Sequence, residues 1–207
     1  MKPIEFYHAS PSRGSIVHWM LEELGEEYNT HLFNLKKGEH KNPDFLKKNP
    51  MGKVPTIEYN GEFVSESAAI CTLLADEFPD KKLNIPVGDS RRGKYLQHIM
   101  FAAGCFEPAI CDQAFPRKED ARAGSIGWGN FESVLNYMHL ALEAKPYLMG
   151  EQFTAADVVL GSCLRWGMMF KVVPEEVDFR AYVDRLEARP ALKRAMEKDQ
   201  KWMEESQ

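Results

Sequence analysis

The dipeptide Glu66-Ser67 combines two residue types that suit an amino acid ligand. It directly precedes a run of apolar residues at helical spacing, so it occupies a predicted helix N-terminus. The unpaired N–H groups and partial positive charge of such a terminus favour a carboxylate, and the Ser67 hydroxyl is a further donor. The Glu66 carboxylate is placed to receive an ammonium group. The pair therefore predicts a site for the α-amino acid end of a ligand, while the alternative is that a serine here is only a helix N-cap.

The residues before this pair predict a β-hairpin. Asn60-Gly61 is a preferred pair for a tight type I′ turn, because both central residues of that turn need a positive φ. Val54-Pro55 opens the first strand of the hairpin, and its second strand leads into Glu66. The chain thus passes from a loop through a hairpin into a helix within about 30 residues.

The residues ahead of the hairpin predict a β-α-β unit. A strand is expected over 4–7, a helix with one apolar face over 15–24, and a second strand over 28–35. A polar, Lys-rich segment over 36–48 predicts a loop or a loose helix. Together with the hairpin and the helix after it, this order of elements is that of a thioredoxin-like domain.

Strand signals almost vanish from residue 89 onward, which predicts a second domain made only of helices. Proline and glycine interrupt the helical pattern over 80–88, so we place a linker there between domains at 1–79 and 89–207. The predicted fold class is therefore α/β plus all-α, with an N-terminal thioredoxin-like domain and a C-terminal α-helical bundle. One long helix is expected over 89–115, with a kink at Pro108.

A helix N-terminal capping box is predicted inside the second domain. Thr154 and Asp157 are three residues apart, so each side chain can accept a hydrogen bond from the other's backbone N–H. Further helices are expected over 131–144, 179–188 and 191–202. A capping box occurs in many helices, so it is informative here only together with the other features.

These features together resemble the cytosolic glutathione transferase superfamily over essentially the whole chain. The resemblance implies that the Val54-Pro55 bond is cis and that the backbone of Val54 pairs with the cysteinyl part of glutathione. It also implies that Glu66 and Ser67 hold the γ-glutamyl end, and we include Lys53 among the expected glutathione-binding residues. In that family a similar capping box begins the buried helix of the all-α domain.

The residue that would activate glutathione is expected between the first strand and the first helix. A thiol has a pKa of about 8.5, and only the thiolate is a good nucleophile, so a nearby hydrogen-bond donor raises the reactive fraction. Aligning residues 19–25 without a gap to the similar helix of bacterial members selects Ser12. Matching Ser10-Pro11 to the Ser-Pro start of other classes selects Ser10. We favour Ser12 and a bacterial-type, serine-dependent member, while both serines could also serve only as helix caps.

The resemblance implies a glutathione S-transferase in which the thiolate attacks a small hydrophobic electrophile. Glutathione is then a co-substrate, no metal is expected, and a homodimer follows from the family. Aromatic residues of the second domain are candidates for an apolar pocket, although at helical spacing they can equally be core: Phe106, Phe115 and Trp166.

Two other functions stay open at this stage. One is a glutathione-dependent disulfide reductase or peroxidase, and the other is a non-catalytic, transferase-like module that binds protein. The absence of cysteine from the loop that contains Ser10 and Ser12 disfavours a mechanism that uses the protein's own thiol.

The composition of the chain indicates which partners and which cellular compartment to expect. The formal net charge is −5 without a basic face, which disfavours nucleic acid as a partner. No apolar run approaches the roughly 18 residues of a membrane span, so no membrane partner is expected. The four cysteines form no CxxC pair and no metal-like spacing. With no apolar signal core at the N-terminus, we expect a cytoplasmic protein.

Overall fold

The protein contains four strands and nine α-helices within the part that the computed structural model describes, residues 3–119 and 123–205. The strands are β1 (Ile4–His8), β2 (Tyr28–Leu32), β3 (Thr56–Tyr59) and β4 (Glu62–Ser65). The helices are α1 (Gly14–Leu24), α2 (Pro43–Lys48), α3 (Ser67–Glu77), α4 (Arg92–Phe101), α5 (Glu107–Ala114), α6 (Phe131–Leu142), α7 (Ala155–Met169), α8 (Val177–Glu187) and α9 (Pro190–Glu205). None of these helices is both long and apolar enough to cross a bilayer.

The four strands form one mixed sheet in the order β2-β1-β3-β4. β1 pairs parallel to β2 and antiparallel to β3, and β3 and β4 form the hairpin. The predicted thioredoxin-like arrangement is therefore confirmed. β2 ends at Leu32, three residues earlier than predicted, because its pairing partner β1 ends at His8, which lies opposite Leu32.

The predicted hairpin turn is present between β3 and β4. Asn60 and Gly61 have φ values of 52° and 89°, as the two central residues of a type I′ turn require. The turn sets Thr56 opposite Ser65, so the residues before β3 and after β4 lie side by side. This register places the segment before β3 next to the residues that follow β4.

The chain divides into two compact units. The first unit comprises Met1–Lys81 together with Ala188–Gln207, and the second comprises Lys82–Glu187. We predicted a single C-terminal domain over 89–207. In the structure, however, the last helix, α9, belongs to the first unit. The reason is that α9 buries Ala191, Leu192 and Ala195 and packs along α1.

The core of the first unit lies between the sheet and α1. α1 has the predicted apolar face and ends at Leu24, and Gly25 caps the helix in a left-handed conformation. Ile16, Met20 and Leu24 are each at most 2% exposed. Burial of such side chains stabilises the unit by roughly 1.5–3 kcal/mol each.

Among its described residues the second unit has helices and no strand, as predicted, apart from the isolated β-bridges of Tyr147 with Gly150 and of Met149 with Gln152. The single helix expected over 89–115 is instead α4 and α5, joined by a π-helical turn at Ala102–Phe106. Pro108 lacks the N–H that would bond the carbonyl of Gly104, and its ring would clash with that carbonyl in a regular α-helix. The wider π-helical turn just before Pro108 accommodates both effects.

The capping box at the start of α7 is confirmed. Thr154 Oγ1 accepts from Ala156 N at 3.3 Å, and Thr154 N donates to Asp157 Oδ2 at 2.9 Å. Leu148 N and the Tyr182 hydroxyl both donate to Asp157 Oδ1 at 2.9 Å. Asp157 therefore joins the start of α7 to α8 inside the second unit.

Candidate active site

Three loops meet at one end of the sheet in the first unit. The C-terminal end of β1 leads into residues 9–13, which we call the serine loop. Because β3 runs antiparallel to β1, with Tyr7 opposite Thr56, the Val54-Pro55 segment before β3 lies beside that loop. Glu66-Ser67 follows β4 at the same end. The sheet thus brings together all three segments that the sequence analysis selected.

The serine loop places Ser12 at the beginning of α1. Ser12 Oγ accepts a hydrogen bond from Gly14 N at 2.9 Å. A hydroxyl has one hydrogen to donate and two lone pairs to accept with, so this bond leaves the Ser12 hydrogen available to a ligand. Ser12 therefore accepts from the first residue of α1, whose N-cap residue is Arg13, and can also donate to a ligand.

The two other serines of this region differ from Ser12. The Ser15 hydroxyl donates to Asp199 Oδ2 at 2.5 Å, so its hydrogen is already used inside the protein. Ser10 is half-buried and is joined to Pro11 by a cis peptide bond. Both Ser10 and Ser12 thus lie in the serine loop, and the assignment of the donor to Ser12 stays a prediction.

The Val54-Pro55 bond is cis, as the family resemblance implied. The N–H and C=O groups of Val54 have no backbone partner among the described residues, so both are free to pair with an extended ligand. Lys53, which precedes it, is exposed, and its carbonyl accepts from Asn49 Nδ2 at 2.9 Å.

Asn49 organises the approach to this segment, a role that sequence reasoning did not identify. It is 4% exposed, and its Nδ2 also donates to Thr56 Oγ1 at 3.1 Å. Its Oδ1 accepts from Met51 N at 3.1 Å. An Asn followed by Pro and Gly is a turn signal, which is the one feature of the sequence that points to this residue.

Glu66 has an unusual backbone conformation at the start of α3. Its φ of 70° and ψ of 114° lie outside the regions that non-glycine residues favour. Its side chain is exposed and makes no capping hydrogen bond to the first turn of α3. Such outliers often occur at ligand sites, where neighbouring structure maintains the strain. Ser67 is the first residue of α3, so the unpaired N–H groups of the first turn are adjacent to both side chains.

Two family models match the chain, one on each side of its middle. Residues 14–77 match the glutathione S-transferase N-terminal domain, and residues 130–198 match the glutathione S-transferase C-terminal domain. The chain belongs to the cytosolic glutathione transferase superfamily. This membership agrees with the mixed sheet and with the helical second unit.

Solved structures of glutathione transferases resemble this one along almost its whole length. A glutathione transferase from Methylococcus capsulatus is 28% identical with a TM-score of 0.77, over 95% of this chain and 98% of that one. A glutathione transferase homologue from Lodderomyces elongisporus, solved with two glutathione molecules per subunit, is 26% identical with a TM-score of 0.72, over 95% and 99%. A glutathione transferase from Phanerochaete chrysosporium, solved with oxidised glutathione, is 25% identical with a TM-score of 0.78, over 97% and 98%.

The three aromatic residues predicted for an apolar pocket have different environments in the structure. Phe106 is completely buried in the second unit, so no surface of its ring is left for a substrate, which argues against that assignment. Phe115 is 79% exposed at the end of α5, and Trp166 is half-buried on α7. The assignments of Phe115 and Trp166 stay predictions.

A buried polar cluster adjoins the serine loop and was missed in the sequence analysis. Asp199 Oδ1 contacts His8 Nε2 at 3.0 Å and His18 Nδ1 at 2.6 Å, and both imidazoles are fully buried. Burial opposes ionisation of Asp199, but the hydrogen bonds from His18 and His8 outweigh it, so the pKa of the carboxyl is lowered. Burial lowers the pKa of His8. Asp199 and His8 are 191 residues apart in the chain, so no local pattern could have paired them.

Proposed function

We propose that the protein is a glutathione S-transferase that activates the glutathione thiolate for attack on a hydrophobic electrophile. The main support is the meeting of the serine loop, Val54-Pro55 and Glu66-Ser67 at one end of the sheet in a member of this superfamily. Relatives solved with bound glutathione support the same ligand.

The strand order suggests how glutathione would lie. β1 and β4 are separated by β3, so their ends are about 10 Å apart at roughly 4.8 Å per strand spacing. An extended tripeptide-sized ligand covers about this distance at roughly 3.3 Å per residue. Glu66 and Ser67 would then bind the γ-glutamyl end, the backbone of Val54 would pair with the cysteinyl residue, and its thiol would point to the serine loop.

The chemical step requires a thiolate near Ser12. The thiol proton leaves to solvent, and the Ser12 hydroxyl donates a hydrogen bond to the remaining sulfur anion. The sulfur then forms a bond to an electrophilic carbon as the leaving group departs with its electron pair, giving a thioether. Each unit by which the donor lowers the thiol pKa corresponds to about 1.4 kcal/mol, which one hydrogen bond to a charged group can supply.

The substrate, the oligomeric state and the physiological role that we propose are those typical of the family. The electrophile would be small and apolar, with Phe115 and Trp166 as candidate contacts, and the enzyme would be a homodimer that acts in detoxification. We place it in the cytoplasm because its four cysteines are all free thiols, which is typical of a reducing compartment.

Disulfide chemistry is the second candidate function. One relative was solved with oxidised glutathione and another with two glutathione molecules per subunit. In that reaction the thiolate attacks the sulfur of a glutathione mixed disulfide, releasing the substrate thiol and forming oxidised glutathione. The serine loop contains no cysteine, so glutathione itself would supply both sulfurs.

Calorimetric titration with reduced and oxidised glutathione tests both candidates. We expect the wild type to bind reduced glutathione and Glu66→Ala to lose at least tenfold in affinity, because the ammonium group loses its carboxylate. Glu62→Ala, an exposed carboxylate at the other end of β4, is the matched control and should bind like the wild type.

The outcomes separate the candidates. Clear preference for the oxidised form, with faster turnover of a mixed disulfide than of an aromatic halide, would favour disulfide chemistry. No binding of either form at millimolar concentration would refute both enzymatic candidates and favour a protein-binding module.

A further inference from the structure

A single carboxylate from the C-terminal helix joins both ends of the serine loop. His8 is the last residue of β1 and Ser15 is in the first turn of α1, so the loop lies between them. Asp199 on α9 accepts from His8 Nε2 at 3.0 Å through Oδ1 and from Ser15 Oγ at 2.5 Å through Oδ2. The two oxygens therefore hold the beginning and the end of the loop at a fixed separation.

The protonation states of Asp199 and His8 agree with this arrangement. Asp199 must be ionised to accept from both sides, and its pKa is lowered because the hydrogen bonds from His18 and His8 outweigh burial. Burial also lowers the pKa of His8, which favours a neutral ring that donates through Nε2–H. Its Nδ1 then carries no hydrogen and faces the main chain of Gly14.

Gly14 connects His8 to Ser12. A Cβ added to Gly14 would lie 2.0 Å from His8 Nδ1 and 3.0 Å from Ser12 Oγ, so only glycine fits between the imidazole and the hydroxyl. Gly14 N in turn donates to Ser12 Oγ. The position of the Ser12 oxygen therefore depends on the His8 ring, and the His8 ring depends on Asp199.

The outer side of the cluster is covered by Trp202, one turn further along α9. Its ring stacks on His18 with centroids 4.9 Å apart and meets His8 edge-on at 5.7 Å. His18 also contacts Asp199 Oδ1 at 2.6 Å. Hydrogen bonds shielded from water in this way are stronger and more directional than exposed ones, so the carboxylate is well suited to fix geometry.

We propose that Asp199 is a positioning residue for thiolate activation, acting through His8 and Ser15 on the serine loop. This inference rests on the proposed transferase function. It assigns to the C-terminal helix a part in the site that the N-terminal segments form. Asp199 does not touch the substrate in this scheme, so it should affect the thiol pKa and turnover more than glutathione affinity.

The test compares Asp199→Asn with Arg189→Gln. The asparagine keeps the shape of the side chain but cannot accept through both atoms. Arg189→Gln is the matched control, because it removes another contact of the C-terminal segment with α1, the ion pair of Arg189 with Glu23 at 2.6 Å, away from the serine loop. The pH profile of kcat/KM would be measured with glutathione and an aromatic halide, together with amide exchange at Gly14 and Ser15.

We expect Asp199→Asn to raise the apparent pKa of the bound thiol by about one unit, which lowers kcat about tenfold below that pKa. KM for glutathione should change less than twofold, and exchange at Gly14 and Ser15 should accelerate at least tenfold. Arg189→Gln should keep the wild-type pH profile and loop exchange even if its melting temperature falls. Ser15→Ala removes only the contact of Asp199 with Ser15 and keeps its contact with His8. This variant should therefore raise the apparent pKa of the bound thiol by less than Asp199→Asn does.

Specific results would overturn the inference. A folded Asp199→Asn with the same pH profile as Arg189→Gln would show that Asp199 only stabilises the fold. If Asp199→Asn does not fold, an unchanged pH profile in Ser15→Ala would have the same meaning. If the wild type itself forms no thiolate near neutral pH, the transferase proposal fails first and the positioning role fails with it.

Discussion

At the scale of single residues, the structure separates Ser15 from the two candidate donors, Ser10 and Ser12. Ser10, Ser12 and Ser15 lie within six residues of one another, and each could donate to a thiolate. Ser15 uses its hydrogen on Asp199, whereas Ser12 only accepts from Gly14 and keeps its hydrogen. The direction of its hydroxyl hydrogen therefore excludes Ser15, and the choice of Ser12 over Ser10 stays a prediction.

Replacing Ser12 by alanine tests this choice. We expect Ser12→Ala to raise the pKa of bound glutathione by one to two units and to lower kcat by about 10- to 100-fold, because the thiolate loses its donor. Glutathione affinity, measured by calorimetry, should stay within about twofold. Ser10→Ala is the matched control, and an equal or larger loss in that variant alone would transfer the role to Ser10.

At the scale of elements, the pairing of α9 with α1 relies on charged groups at a partly buried interface. Glu22 on α1 accepts from Arg194 and Lys198 on α9 at 2.8 and 2.5 Å, and from the Tyr28 hydroxyl at 2.6 Å. Burial opposes ionisation of Glu22, but the hydrogen bonds from Lys198, Tyr28 and Arg194 prevail and lower its pKa from 4.5 to about 2. The interface is therefore most stable when this carboxyl is ionised.

Acid should weaken the attachment of α9. Because the folded pKa of Glu22 lies below its ordinary value, its contribution is complete above about pH 4.5 and is lost as the pH falls towards 2. The shift corresponds to about 3 kcal/mol, which screening of the half-exposed Arg194 and Lys198 reduces to about 1–2 kcal/mol. Amide exchange of α9 between pH 6 and 3 measures this loss.

A pair of variants controls for general acid effects. Glu22→Gln should reduce the change in α9 amide exchange between pH 6 and 3, because glutamine does not titrate. Glu204→Gln, at an exposed carboxylate on α9, should leave the pH dependence unchanged. Equal pH dependence in Glu22→Gln and the wild type would contradict this account.

At the scale of the whole molecule, the first unit is built from both ends of the chain. Its sheet and first three helices come from the N-terminal part, and α9 joins them after the chain has formed the second unit. α9 covers α1 with apolar residues and with the Asp199 and Glu22 contacts. The first unit is thus incomplete without the last 20 residues.

A chain that ends at Glu187 tests this dependence. We expect the truncated protein to lose amide protection in β1 and α1, because α1 loses the helix that covers it and buried His8 and His18 lose their carboxylate. α7 in the second unit should keep its protection, which serves as the internal control. Hydrogen exchange read by mass spectrometry separates the two units, and unchanged protection in α1 would refute the dependence.

The sequence alone determined the elements and the superfamily because those depend on local signals. The period of apolar residues predicted the strands and most of the helices, Asn60-Gly61 predicted the turn, and Thr154 with Asp157 predicted the capping box. These signals act within a few residues, where geometry follows directly from residue type.

The partners of the last helix were decided only by the tertiary structure. The pattern of α9 predicts a helix with one apolar face, but it does not say which surface that face covers. The contacts of Asp199 with His8 and His18 span about the whole length of the chain, and they depend on how α9 lies against α1. A long-range contact is fixed by packing and by burial of charge, which no short stretch of sequence encodes, so the surroundings of the serine loop became visible only in the folded protein.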